Sequence, residues 1–423
     1  MTIETNASAT NGHQGAFDDS SVAIAPNLPE LVPALLEKIA ASGNDFVSND
    51  PKARTELVDA ARSLVYATET PREAMIRVAW SQSTLYACME AGVDMGLFTA
   101  LSKDDKPKTA ASLAEAVGAE PKMLARILKH LCAMGVILET GPDEYRRTGF
   151  STSLMSERFS DAYPCITDSI TNGIQALPAH LKKTNYRNPT NGTDCAFQLG
   201  YRTTDHCFEF LQKHPVTGKQ FNNHMSAYHQ GRPSWMDEGF YDVPRLAQVD
   251  TGDDGALLVD MGGSVGHDLS EFRRKHPEAS GRLILQDLPH VLEQARTMKL
   301  HPSIEVMEHD FFTKQPVKGA RAYYMYSVLH DWPDEKCVEI LKNIVPAMTP
   351  GYSKILINEN VIPEINAYWE TTSLDIIMMA DFASAERTAA NWHALVEAAG
   401  LKVSKIWTVQ RGVESVIECE LEC

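Results

Sequence analysis

The chain has 423 residues, with 39 Lys and Arg against 56 Asp and Glu, and a formal net charge of −17 at pH 7. That length exceeds one simple core, and no apolar run approaches the roughly 20 residues a membrane-spanning helix needs, so membrane insertion is not expected. So negative a field repels a phosphate backbone, which argues against nucleic acid as a partner and favours a small neutral or cationic ligand.

The first stretch, "MTIETNASATNGHQGAFDDSS", lacks the basic start and apolar core of a secretion signal. It reads as a disordered tail over residues 1–27 and predicts a cytosolic protein. The eight cysteines form no Cys-x-x-Cys pair and no zinc-type cluster, so they are expected as free thiols filling the core. From Leu28 to Ala67, leucine, isoleucine and alanine recur at three- and four-residue spacing, which predicts amphipathic helices. The next run, "MIRVAWSQSTLYACMEAGVDMGLFTAL", is apolar on nearly every face and predicts a helix buried on all sides, of the kind found in subunit interfaces. Over Thr109–Ile137 a helix, a Gly-Ala-Glu-Pro turn and a second helix precede a small hairpin, a winged helix-turn-helix outline. The second helix carries only three well-spaced basic residues in an acidic chain, which argues against DNA binding. This helical and winged-helix domain is expected over 28–154, followed by a helix-and-loop region over 155–245 that contains "FNNHMSAYHQGRPSWMDEGFYDV".

The texture changes in 246–423. From Ala256, short apolar runs ("ALLVDMGG", "RLILQDLP", "IEVMEHDFF", "ARAYYMYSVLH", "KILINENVIP") alternate with helical segments. That alternation predicts an α/β fold with a Rossmann-like, doubly wound, mostly parallel sheet. Two alternating runs joined at Gly412 predict an antiparallel last strand.

Gly262, Gly263 and Gly266 follow the first of these strands and open a helix, where a backbone approaches a ligand. The spacing misses the G-x-G-x-x-G dinucleotide fingerprint, since Ser264 and His267 stand where it needs glycines. Instead Asp260 sits just before the turn. Asp287, followed by Leu288, ends the second strand, where a carboxylate takes ribose hydroxyls. Asp310 and Phe311 end the third, offering an acid to an adenine amino group and a ring to its face. Each alone is also a structural glycine or a helix cap; their order and spacing together favour an adenosine-containing ligand.

His330 stands where "YYMYSVLH" ends and the amphipathic "DEKCVEILKNIVPAM" begins. Two readings stay open on residues alone: a helix cap, or an imidazole placed at the end of a strand for acid-base work. Asp331 is either structural or orients that histidine.

The series "VDMGGSVGHD", "LQDLP", "EHDFF", "SVLHDWPDEKCVEIL", "ILINENVIP" and "ERTAANWHALVEAAGL" resembles the S-adenosylmethionine-dependent O-methyltransferases of the plant caffeate/flavonoid type, in the version fungi use on polyketides and other secondary metabolites. The resemblance runs from about residue 70 to the end. It implies S-adenosylmethionine as cofactor, a small aromatic or polyketide substrate, and a homodimer in which the N-terminal region closes part of the partner's site. It further implies that His330 is the general base and that Glu359 and Glu386 orient it. No metal is expected, since these acids are spaced for hydrogen bonding to His330 and not as a cation cage. By position, Phe221, Asn222, His224, Met225, Trp235, Asp375, Met378, Met379 and Phe382 correspond to segments that line the acceptor pocket of relatives. Two departures stand out. Tyr326 occupies a position where relatives commonly carry a Lys or Arg for the carboxylate end of the cofactor, and Ser264 replaces the middle glycine of the turn. A few fungal members with this fold catalyse dehydration or pericyclic ring closure instead, usually with an altered acid-base set; here His330, Glu359 and Glu386 are all present.

Overall fold

Proline and short polar side chains set where the N-terminal helices begin. In the computed structural model, which describes residues 19–48, 50, 52–228, 230–249, 251, 254–297 and 300–422, Pro33 lies in the first turn of helix Val32–Val47. Thr70 and Glu73 form a reciprocal capping box ahead of Pro71–Ile76, satisfying amides that a helix start leaves open. Of the tail expected over 1–27, residues 1–18 lie outside the described residues, but Asp19–Ile24 is a short helix. The amides of Asn27 and Leu28 donate to the carbonyls of Glu69 and Ala67, each at 3.0 Å, so the chain is tied down earlier than expected.

The chain forms two compact units, one ending at Met155 and one over Ser156–Cys423. In the first, the oily stretch departs from its expected full burial. Met75, Val78 and Trp80 remain 57%, 61% and 63% exposed in the single chain, because the helices of this unit cover only one side of the run. The winged outline is present. Thr109 caps Ala110–Val117, Glu120 caps Pro121–Ala133, and Leu138–Gly141 pairs antiparallel with Glu144–Arg146. Leu124, Leu128 and Leu131 form the buried stripe of the second helix.

The second unit is built on one sheet of seven strands: β1 (Ala256–Met261), β2 (Arg282–Asp287), β3 (Ile304–Glu308), β4 (Ala322–Tyr326), β5 (Lys354–Glu359), β6 (Leu401–Trp407) and β7 (Ser415–Leu421). Their order is β3-β2-β1-β4-β5-β7-β6. The first five are parallel, and β7 runs antiparallel to both β5 and β6. These strands read as continuous apolar runs because both faces are covered. Val259, Tyr323, Met325, Ile355 and Ile357 pack with helices Asp334–Ile344 and Ala389–Ala398. Leu258, Leu283, Leu285, Tyr324 and Leu356 face the opposite layer with Leu269, Phe272 and Leu292. Strand order reverses between β1 and β4, so the crevice at their carboxyl ends is where such a sheet receives ligands. Among the described residues seven cysteines are free thiols, five of them buried, and no helix is long and apolar enough to cross a membrane.

Candidate active site

His330 lies in a single 3₁₀ turn, Leu329–Asp331, between β4 and helix Asp334–Ile344. The capping alternative does not describe it: the helix is preceded by Pro333, and the imidazole points into a buried cluster of acids. Its Nδ1 lies 2.7 Å from Glu386 Oε1 and 3.9 Å from Glu359 Oε2, and its Nε2 lies 3.5 Å from Asp331 Oδ1. With Nδ1 donating to the Glu386 carboxylate, Nε2 is the ring atom that can accept a proton once the imidazole is neutral.

The supporting bonds explain why two distant motifs occur together. Glu359, fully buried at the end of β5, accepts from the amides of Val328 (2.9 Å), Leu329 (2.8 Å) and His330 (3.3 Å) through one oxygen. That carboxylate therefore shapes the turn as well as facing the imidazole. Arg387, next to Glu386, donates to the carbonyls of Leu329 (3.1 Å) and Trp332 (2.9 Å) and to Asp334 (2.9 Å), pinning the turn from its other side. Asp375 accepts from the Glu386 amide at 2.9 Å, and the Ser384 hydroxyl donates to the His330 carbonyl.

The electrostatics run against burial. Desolvation alone would lower the imidazole, but Glu359, Asp331 and Glu386, with the Glu386 hydrogen bond, outweigh it and hold His330 well above its ordinary value. Burial raises both flanking acids against the pull of His330, Asp331 to about 6 and Glu359 to about 7. The cluster thus retains a proton near neutrality. His330, Glu359 and Glu386 also present ligand atoms within 4.8 Å of one another; Glu386 Oε1 and Glu359 Oε1 bond the imidazole and backbone amides, whereas Oε2 of each acid is buried without a hydrogen-bond partner.

The glycine turn is stitched to the end of β2. The Gly262 amide donates to the Gln286 carbonyl at 2.8 Å, and the Ser264 amide to Asp287 Oδ2 at 2.8 Å, while Leu288 donates to Asp287 Oδ1 at 2.7 Å. Ser264 has φ 54°, a left-handed position that favours glycine. A Cβ on Gly263 would lie 2.4 Å from Asp260 Oδ2, and one on Gly262 3.0 Å from Val328, so both glycines are required by close approach. Asp260 itself is buried beneath the turn, its Oδ2 without a partner; burial, then Asp268 and Asp287, hold its carboxyl far above the usual range. Asp310 is exposed and Phe311 half-buried, with Phe311 facing the same Gly262. An adenosine-bearing group fits this set: a backbone cradle that a Cβ would fill, and a carboxylate with lone pairs to spare at the end of the next strand.

The residues expected around an acceptor divide into groups. Phe221, Met378 and Phe382 belong to one apolar cluster with Cys195, Phe197 and Cys207; Met379 packs beside it against Leu177 and Ala196. Phe382 reaches the His330 turn through aromatic contacts: Phe208 lies 5.4 Å from Phe382 and 6.2 Å from Trp332, and His206 stacks on Trp332 at 5.1 Å. Asn222, His224 and Met225 lie on helix Pro215–Tyr228, with Asn222 exposed and the His224 imidazole lowered by burial. Asp375 anchors Glu386 and does not belong to the apolar cluster. Trp235 lies elsewhere, in the layer on the other face of the sheet from Leu329, stacked on Tyr324 at 5.0 Å. His206 and Asp381 carried no sequence signal. His206 accepts from the Phe208 amide on Nδ1 and leaves Nε2 buried without a partner. Asp381 buries both carboxylate oxygens without a partner, and burial pushes its carboxyl up to about 8.

Residues 241–402 match the O-methyltransferase domain and residues 81–158 the O-methyltransferase dimerisation domain. The chain is 35% identical over 392 residues to O-methyltransferase mpaG of Penicillium brevicompactum, covering 92% of this chain and 98% of that protein. It is 38% identical over 324 residues to demethylsterigmatocystin 6-O-methyltransferase of Aspergillus parasiticus, covering 76% and 82%. Among solved structures, LepI in complex with SAM superposes with a TM-score of 0.84 at 31% identity, covering 93% of this chain and 99% of that one. A structure described as a pericyclic reaction enzyme gives the same score and identity, covering 93% and 100%. OxaC in complex with SAH and oxaline gives 0.82 at 25%, covering 93% and 99%. By fold, by domain matches and by identity along nearly the whole length of its relatives, this chain is a member of the O-methyltransferase family.

Proposed function

We propose that the protein transfers a methyl group from S-adenosylmethionine to a hydroxyl of a small aromatic or polyketide-like molecule, with His330 as general base. The observation that carries this reading is the buried contact between Nδ1 of His330 and Glu386, which leaves Nε2 to accept a proton when the ring is neutral. The bound cofactor supplies an electrophilic methyl group on a sulfonium. The protein's own residues do the rest. The glycine turn, Asp287 and Leu288, and Asp310 and Phe311 hold the adenosine, and the Phe221–Met378–Phe382 cluster offers an apolar wall for an acceptor ring. His330 takes the hydroxyl proton onto Nε2, and Glu386 and Glu359 stabilise the resulting imidazolium. A phenol near pKa 10 needs such help at neutral pH, and a positioned base contributes about 10²–10⁴-fold in rate. The match to a dimerisation domain and the exposed Met75, Val78 and Trp80 support a homodimer.

A second reading, a pericyclic or dehydrating reaction without methyl transfer, is favoured by the likeness to the pericyclic reaction enzyme. The two separate in one experiment. The purified protein is incubated with methyl-deuterated S-adenosylmethionine and a metabolite extract of the source organism, and products are followed by mass. A new compound carrying the label is the expected result. An unlabelled isomer or dehydration product would overturn methyl transfer in favour of the second reading.

A further inference from the structure

A small cavity of about 90 Å³ is lined by Arg232, Trp235, Asp268, Tyr326, Asn358 and Glu414. Sheet order fixes where it lies relative to the adenosine residues. Asp287 ends β2 and Asp310 follows β3, on one side of β1, whereas Tyr326 ends β4 and Asn358 lies near the end of β5, on the other. A ligand whose adenosine lies over β2 and β3 therefore extends its remaining part across the glycine turn toward this cavity.

The cavity is polar, buried and incompletely satisfied. Trp235 and Asn358 are 3% and 4% exposed, yet Trp235 Nε1 and Asn358 Oδ1 have no hydrogen-bond partner. One is a donor and the other an acceptor, and leaving such groups buried and unpaired costs about 1–3 kcal/mol each. Arg232 is the cationic residue of the lining. Its guanidinium pairs with Glu414, lies 3.0 Å from Glu370 and sits over the Tyr228 ring at 4.4 Å. Two carboxylates use only part of its five N–H groups. The lining holds two further acids, Asp268, which accepts from the Tyr324 hydroxyl at 2.6 Å, and Glu271, which pairs with Lys275 at 2.8 Å. Cation, acid, free N–H and free carbonyl oxygen around one small space are the complement of a zwitterion.

We propose that Arg232 and Trp235 hold the carboxylate, and Asn358 and Glu414 the ammonium, of the cofactor's amino-acid end, so that the charge Tyr326 does not supply comes from the segment preceding the sheet. This rests on the cofactor reading above. The test is isothermal titration of the full chain with S-adenosylhomocysteine and with 5′-methylthioadenosine, which keeps the adenosine and thioether but lacks the amino-acid group. Arg232→Gln is expected to weaken S-adenosylhomocysteine by about 10–100-fold while leaving methylthioadenosine within about threefold. Adding Tyr326→Lys to that variant is expected to recover affinity for S-adenosylhomocysteine alone. Unchanged S-adenosylhomocysteine affinity in Arg232→Gln, equal loss for both ligands, or no recovery with the lysine each overturns the assignment. Wild-type protein that binds neither ligand would instead sink the cofactor reading.

Discussion

Glu359 is a structural clamp before it is a charge beside His330, and the two roles separate by substitution. In Glu359→Ala the amides of Val328, Leu329 and His330 lose their acceptor in a fully buried place. Unsatisfied buried donors cost about 1–3 kcal/mol each, and the third bond is long, so the gross loss is roughly 3–7 kcal/mol. Removing a carboxyl that burial has pushed up to about 7 gives part of this back, leaving a net loss of about 2–5 kcal/mol. Glu359→Gln keeps a carbonyl oxygen for the three amides and places its NH₂ where Oε2 faced the imidazole at 3.9 Å. Its expected loss is below about 1 kcal/mol. Thermal unfolding reads the difference at roughly 2–4 °C per kcal/mol for a unit of this size. The alanine variant should melt about 5–20 °C low and the glutamine variant within a few degrees of wild type. An alanine variant with wild-type melting, or a glutamine variant that falls as far as alanine, would refute the clamp.

Because the carboxylates hold His330 above its ordinary value against burial, the neutral base accumulates only as pH rises, and the acid limb of kcat/KM should lie above the usual histidine range. Glu386→Gln removes the anion 2.7 Å from Nδ1, so that limb should move to lower pH; a limb that stays in place in the pH profile contradicts the cluster. His330→Ala should lower kcat by about 10²–10⁴-fold with S-adenosylhomocysteine affinity kept, and full turnover by this variant would remove His330 as the base. Asp381 binds a proton on folding, since its carboxyl rises from 3.8 to about 8. Stability should therefore fall as pH rises from about 4 to about 8, where the unfolded chain has lost that proton, and level off above. Asp381→Asn escapes this and should gain on wild type across that window, on the order of several kcal/mol at pH 8; denaturant titrations at pH 5 and 8 with equal differences would show that Asp381 is not buried unpaired.

What was legible in the sequence follows the range of the forces involved. The parallel sheet could be read because strands covered on both faces are continuous apolar runs, and the antiparallel last strand because Gly412 joins two alternating ones. The His330 turn was half legible: position at a strand end left the histidine between cap and base. Only the pattern shared with a family joined it to Glu359 and Glu386, which lie 29 and 56 positions away. The oily stretch over residues 75–101 was expected to be buried as in a subunit interface, and the single chain leaves Met75, Val78 and Trp80 exposed, since periodicity reports that a helix is apolar on all faces and not which molecule covers them. Arg232 lay beyond reach altogether. A lone arginine in a Gly-Arg-Pro loop reads as a solvated turn, and what makes it a buried cation is a pair of carboxylates 138 and 182 residues further on. Such a charge is kept inside only because folding brings its partners, so Arg232 carries no local mark of its burial.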